Sequence, residues 1–247
     1  FYKGKTADLI VNEMKANNGL ISHKDLEQYD SVYRDPIIGT YRGYTIASMG
    51  PPSSGGPLIV QMLNMLENFD VSSMERNSTQ FVHMLTEIQR LAYADRAIHL
   101  GDPDFYPSPI PMLVSKEYAK KRLELVSMDK ATPSSEIAAG TTIPESMETT
   151  HYSAMDKFGN TVGITTTINL SYGNKKIVDG AGFLLNNEMD DFATSPGVQN
   201  AFGLIGYEAN SIKPAKRPLS SMSPTIVLDP EGNSLMTVGA AGGSRII

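Results

Sequence analysis

Hydrophobic spacing changes character once along this chain, and that change limits the folds open to it. Up to about residue 127, Tyr41–Met49 apart, the apolar residues recur at helical intervals. After Thr149 they alternate at the period of two that marks β-strands. Between the two lies MDKATPSSEIAAGTTIPESME (128–148), rich in Ser, Thr, Pro and Ala and without any period, which reads as an exposed connector. Helices first and hairpins later suit a layered α+β fold better than a doubly wound parallel sheet, whose strands and helices would alternate.

Within the first part, Ala7, Ile10, Val11 and Met14 place a helix over 4–17, with Gly19 as its C-terminal stop. Ser22 with Asp25 forms a capping-box pattern for a short second helix. Tyr41–Met49 alternates like one strand. The run GPPSSGGP (50–57) is a tight loop, and Pro57 opens an apolar helix through Leu58, Ile59, Met62, Leu63 and Leu66. The longest helix is expected from Thr79 to Leu100, capped by Ser78, lined by Phe81, Leu85, Ile88, Leu91 and Ala92, and ended by Gly101. In the second part, HYSAMD-KFG-NTVGITTTIN and SPTIVLD-PEG-NSLMTVG each read as strand, Gly-containing turn, strand.

Composition excludes several functions. The net charge of −6 provides no basic stripe for a phosphate backbone, so no nucleic-acid partner is expected. No apolar run reaches the ~20 residues that span a bilayer. Cysteine is absent, which removes disulfides, thiolate nucleophiles and Cys-ligated zinc together. The histidines, His23, His83, His99 and His151, are scattered without metal-ligand spacing, so no metal and no cofactor is called for. Nucleotide-binding, zinc-protease and nucleophile-elbow motifs do not occur. The chain opens at Phe1 without an initiator Met and stops at Ile247 just after a Gly-rich turn, so both ends are expected to be internal to something longer.

Polar clusters remain at the ends of the strands. They are TTTIN (165–169), LLNNEMDDF (184–192), RPLSSMSPT (217–225) and GAAGGSR (239–245). Singly, each reads as an ordinary turn or cap, because Gly, Asn, Asp and Ser dominate turns. Together they hold carboxylates, adjacent hydroxyls and the paired N–H groups of Gly242 and Gly243, the parts needed to hold an amino acid and an oxyanion.

TTHYSAMDKFGNTVGITTTIN, GAGFLLNNEMDDF, KRPLSSMSPTIV and GGSRII, with PPSSGG and AYADRAIHLGDPDF upstream, resemble the γ-glutamyltranspeptidases, and specifically their bacterial members. The resemblance runs in order over essentially the whole chain. It implies a four-layer αββα N-terminal-nucleophile hydrolase fold, here as a fragment with both ends missing. Residues 1–148 would be the C-terminal part of a large-subunit region and 149–247 the N-terminal part of a small catalytic subunit, the two cut from one zymogen at Glu148–Thr149.

The resemblance also implies roles. Thr149 is the nucleophile, and its own freed α-amine is the base; a reference pKa of about 7.7–8.0 suits that task. Thr167 orients the nucleophile. Asn169, Glu188 and Asp191 hold the α-ammonium of a γ-glutamyl unit, Ser220 and Ser221 its α-carboxylate, and Gly242 and Gly243 the oxyanion. Residues 193–207 resemble a lid, with Phe202 where many bacterial relatives carry tyrosine. GAAGG replaces the usual GSPGG turn, which is expected to loosen it, and the carboxylate-binding arginine is expected upstream of Phe1. The substrates implied are glutathione and other γ-glutamyl compounds, with water, amino acids or peptides as acceptors, and the compartment is periplasmic or secreted. Two other readings stand beside this one: a glutaryl-type amide acylase of the same fold, and a non-catalytic, unprocessed protein.

Overall fold

The computed structural model describes residues 1–133, 149–195, 197–199 and 204–247. The elements run α1 (Lys5–Ala16), α2 (His23–Gln28), β1 (Ile37–Tyr41), β2 (Tyr44–Ser48), α3 (Gly55–Leu66), α4 (Thr79–His99), α5 (Ile110–Leu113), α6 (Lys116–Leu123), β3 (Thr150–Met155), β4 (Thr161–Thr166), β5 (Thr225–Leu228) and β6 (Ser234–Val238). Every strand pair is antiparallel, in a four-stranded sheet ordered β1-β2-β5-β6 and a two-stranded sheet β3-β4.

Local sequence explains the boundaries. Ser22 accepts from the Asp25 backbone N–H while the Asp25 carboxylate accepts from Ser22, so the capping box at α2 is complete. Ser78 accepts from the Phe81 N–H and starts α4. Both expected hairpins form, β3-β4 and β5-β6.

Two expectations need correction. Tyr41–Met49 is not one strand: the chain turns at Arg42 and Gly43, both at positive φ, and β1 pairs back onto β2. Also, α4 is not one-faced. Its later turns bury Ala94, Asp95, Arg96 and Ala97 besides Ile88, Leu91 and Ala92. Gly101 does follow α4, but its need for glycine is steric: a Cβ there would lie 2.0 Å from the Ala209 carbonyl oxygen.

The core sits on both sides of α3. Leu58 and Met65 pack with Met84, Ile88 and Leu91 of α4, Leu113 of α5 and Ala119 of α6. On the opposite side Val60 meets Ile46 of β2 and Val227 of β5. Each such large side chain contributes roughly 1.5–3 kcal/mol by leaving water. The layers therefore follow in order: helices α3–α6, the four-stranded sheet, then β3-β4. Ala7, Ile10 and Val11 of α1 form a separate small core with Leu26 and Val178.

Small residues let the two sheets approach. A Cβ on Gly239 would meet the His151 ring at 2.3 Å, and one on Gly163 would meet Thr237 Oγ1 at 3.0 Å. His151 bonds through Nδ1 to Thr165 Oγ1 (2.8 Å) and through Nε2 to Ser153 Oγ (2.9 Å), and Ser153 in turn lies 3.3 Å from Thr237 Oγ1 on β6. The histidine of the TTHY run thus ties the start of β3 to the end of β6, which sets Thr149 beside the turn that follows β6.

Candidate active site

Thr149, Thr167, Asn169, Glu188, Asp191, Ser220, Ser221 and Gly243 line a single cleft with about 360 Å³ of open space. Segments far apart in sequence converge there: the entry to β3, the exit from β4, the 3-10 turn Glu188–Asp191, the loop before β5 and the 3-10 turn Gly243–Ile246. Gly242, the remaining expected member, is buried immediately behind as the residue that starts this last turn, with φ 138°. Glu148 and Phe202 lie outside the described residues. Of the expected lid, Gln199 bridges Ile205, and Leu204 lines the cleft.

The serine pair is clamped by the PPSSGG loop. The Ser220 N–H donates to the Pro52 carbonyl (2.8 Å), and the Ser54 N–H and Oγ–H both donate to the Ser220 carbonyl (2.9 and 2.8 Å). Ser53 Oγ donates to the Met222 carbonyl (2.6 Å). Gly55 is required by this approach, since a Cβ there would lie 2.6 Å from the Met222 carbonyl oxygen. The glycine turn is tied down in the same manner: the Tyr93 hydroxyl donates to the Ser244 carbonyl, and Ser223 Oγ donates to the Ile246 carbonyl at 3.0 Å. Thr167 Oγ1 accepts from the Asn169 N–H (2.9 Å), and Asn169, at φ 74°, donates its amide to the Asn187 carbonyl (3.1 Å).

Carboxylates dominate the electrostatics. Burial pushes the Asp191 carboxyl up to about 7; the neighbouring charge of Glu188 adds to the rise and the positive charge of Arg96 opposes it. Burial likewise pushes Glu188 up, against the hydrogen bond it shares with Asp191. Glu188 Oε1 is buried without a hydrogen-bond partner among the described residues. Two half-buried acids, one with an unsatisfied oxygen, form a place where a cation lowers the energy. A hydroxyl nucleophile candidate, Thr149, opens onto the same cleft.

Two working residues escaped the sequence reading. Arg96 of α4 is 4% exposed and lines the cleft, donating Nε–H to Ser54 Oγ (2.9 Å) and Nη2–H to Ser221 Oγ (3.3 Å). Asn210, 5% exposed, donates its amide to the Asp191 carbonyl (2.7 Å) and accepts from the Leu219 N–H (3.0 Å), so one side chain joins the acidic turn to the serine loop. Arg96 lies in the AYADRAIHLGDPDF stretch that shares in the resemblance, but no role was attached to it there; for Asn210 there is no sequence signal.

Comparison with known proteins identifies the family. The glutathione hydrolase proenzyme of Escherichia coli (strain K12) is 50% identical over 248 residues, covering all of this chain and 43% of that protein. The acylase ACY 1 proenzyme of Pseudomonas sp. (strain SE83) is 40% identical over 99% of this chain and 41% of its own length. The chain therefore spans less than half the length of these relatives. Among solved structures, cephalosporin acylase from Bacillus halodurans superposes with a TM-score of 0.78 over 98% of this chain and 41% of that one, at 23% identity, a likeness of fold. The fold is that of the N-terminal-nucleophile hydrolases, as the resemblance implied. The family model for γ-glutamyltranspeptidase matches residues 1–247 end to end, and the chain belongs to that family.

Proposed function

We propose that the protein transfers and hydrolyses γ-glutamyl groups through an ester on Thr149, after cleavage of the Glu148–Thr149 bond. The observation that carries this reading is the half-buried Glu188–Asp191 pair, with a Glu188 oxygen that has no partner among the described residues, on the same cleft as Thr149 and the serine pair. A γ-glutamyl group brings one ammonium and one carboxylate on the same carbon, and the cleft offers one acidic and one hydroxyl-rich wall.

In the uncut chain the Thr149 nitrogen is an amide and cannot act as a base. Cleavage converts it to an amine whose ordinary pKa, about 7.7–8.0, lies near neutrality. The Thr149 hydroxyl oxygen then attacks the γ-carbonyl carbon while its proton passes to this amine. The carbonyl oxygen takes up the negative charge beside Gly242 and Gly243, where backbone N–H donors would stabilise it. As the carbon–nitrogen bond breaks, the ammonium returns the proton to the departing amine, leaving the ester. A water molecule or the amine of an acceptor repeats the sequence and frees Thr149. Thr167 holds the 167–169 corner through the Asn169 N–H, on the same cleft as Thr149.

Kinship with the ACY 1 acylase proenzyme supports a second reading, a glutaryl-type amide acylase of the same fold. Release of p-nitroaniline by the whole protein from γ-glutamyl- and glutaryl-p-nitroanilide separates the two. A preference of at least about 10-fold for the γ-glutamyl compound is expected, the least that loss of a charge-assisted contact gives. Equal cleavage of both would establish the acylase reading instead.

A further inference from the structure

We propose that Arg96 is a positioning residue that turns the Ser221 hydroxyl into a committed donor facing the cleft, and so creates the recognition of an α-carboxylate. The inference rests on the γ-glutamyl reading given above. A serine hydroxyl carries one proton and can either donate or accept toward a ligand. A guanidinium has only donors and stays charged at any working pH. With Arg96 Nη2–H donating to Ser221 Oγ, the Ser221 proton points away from the arginine. Ser221 is itself 9% exposed and lines the cleft, so the direction left to that proton is toward a ligand. A carboxylate, which only accepts, fits a hydroxyl so oriented.

The same arginine fixes the serine main chain. Arg96 Nε–H donates to Ser54 Oγ, and Ser54 donates onward to the Ser220 carbonyl. Both atoms of the Ser54 hydroxyl are thereby used, one accepting and one donating. The guanidinium also contributes positive charge beside the serine loop, an attraction for a carboxylate even without direct contact. Arg96 thus acts on the ligand through two serines, from a helix whose packing holds the guanidinium still.

The test compares competitive inhibition by L-glutamate and by 4-aminobutanoate, which keeps the ammonium but lacks the α-carboxylate. The whole processed protein is used, at pH 9, where Asp191 is ionised. Arg96→Gln is expected to weaken L-glutamate roughly 10- to 100-fold, the range for a hydrogen-bonded charged contact. It should leave 4-aminobutanoate unchanged or bound more tightly, since a repelling cation has gone. The loss for γ-glutamyl-p-nitroanilide should appear mainly in KM. Arg96→Gln combined with Ser221→Ala should be no worse toward L-glutamate than the worse single variant. Ser54→Ala, which leaves the arginine in place, should shift the ratio of the two inhibition constants in the same direction by a smaller factor, and carries the test if Arg96→Gln does not fold. Equal weakening of both ligands, or an unchanged ratio in Ser54→Ala when Arg96→Gln does not fold, overturns the inference while the substrate reading stands. A wild-type protein that does not bind L-glutamate overturns the substrate reading, and the inference with it.

Discussion

Asp191→Asn should stabilise the protein against unfolding, and only above acidic pH. In the unfolded chain an aspartate titrates near 3.8, and in the folded protein burial and the charge of Glu188 push Asp191 up to about 7. Between those values the folded state keeps a proton that the unfolded state has released. The stability this group contributes is therefore complete below pH 3.8 and is lost as pH rises through 7. Roughly three powers of ten in acidity, at about 1.4 kcal/mol each, make the loss at most about 4 kcal/mol. Asparagine keeps the shape and has no such loss. Glu188, also pushed up by burial, remains in the variant and readjusts when its partner changes, so about 2–4 kcal/mol should be observed. Urea unfolding of wild type and variant, followed by circular dichroism at several pH values from 4 to 8.5, measures the difference. It should be near zero at pH 4 and plateau above pH 7.5. In thermal terms the alkaline gain corresponds to roughly 4–16 °C for a chain of this size. A difference that is constant with pH, or that shrinks as pH rises, would refute the reasoning. The same variant should lose activity on γ-glutamyl substrates, because the acid that costs stability when ionised is the one an ammonium would neutralise.

Thr149→Ala should leave the whole protein as one uncut polypeptide, and the small fragment of the wild type should begin at Thr149 by N-terminal sequencing; a fragment starting elsewhere would remove Thr149 as nucleophile. Gly101→Ala should destabilise by about 3 kcal/mol in urea, since its Cβ would meet the Ala209 carbonyl oxygen at 2.0 Å and backbone cannot swing aside as a side chain can. It should also lower activity, because the displaced turn carries Asn210; an unchanged midpoint would show that the turn yields freely.

The elements that were legible in the sequence are those whose own residues decide them. Ser22 and Ser78 supply their caps directly, and the two hairpins alternate cleanly around Gly-containing turns. The β1-β2 hairpin was not legible because its turn depends on distant contacts. Arg42 sits at φ 50°, a conformation with no intrinsic appeal to arginine, and no Asn-Gly or Asp-Gly pair announces it. Its N–H donates to Glu67 Oε1 (2.7 Å), its guanidinium donates to the Phe69 carbonyl (3.1 Å), and it lies over the Tyr41 ring. Tertiary bonds thus hold a backbone state that local preference would not select.

The site divides along the same line. Groups that would touch a substrate cluster at strand ends, where Asn, Asp, Ser and Gly stand out against apolar strands, and the cleft brings Thr149, Asp191, Ser220 and Gly243 together. The residues that hold those groups in place carry no such mark. Arg96 lies within α4, where a helical reading assigns a charged side chain to solvent; it is buried in a stretch where Ala94, Asp95 and Ala97 are buried too. Its charge is tolerated there because Ser54 and Ser221 accept its protons and the acidic pair lies across the cleft. Asn210 is hidden for the opposite reason: a lone amide in a turn reads as surface, yet both ends of this one are spent on the backbone of Asp191 and Leu219. A cleft built from loops needs such cross-ties, since loops have no ladder of their own to fix a side chain within the fraction of an ångström that catalysis requires. The sequence therefore displays the groups aimed at a ligand, while the groups aimed at other parts of the protein become visible only when the chain is folded.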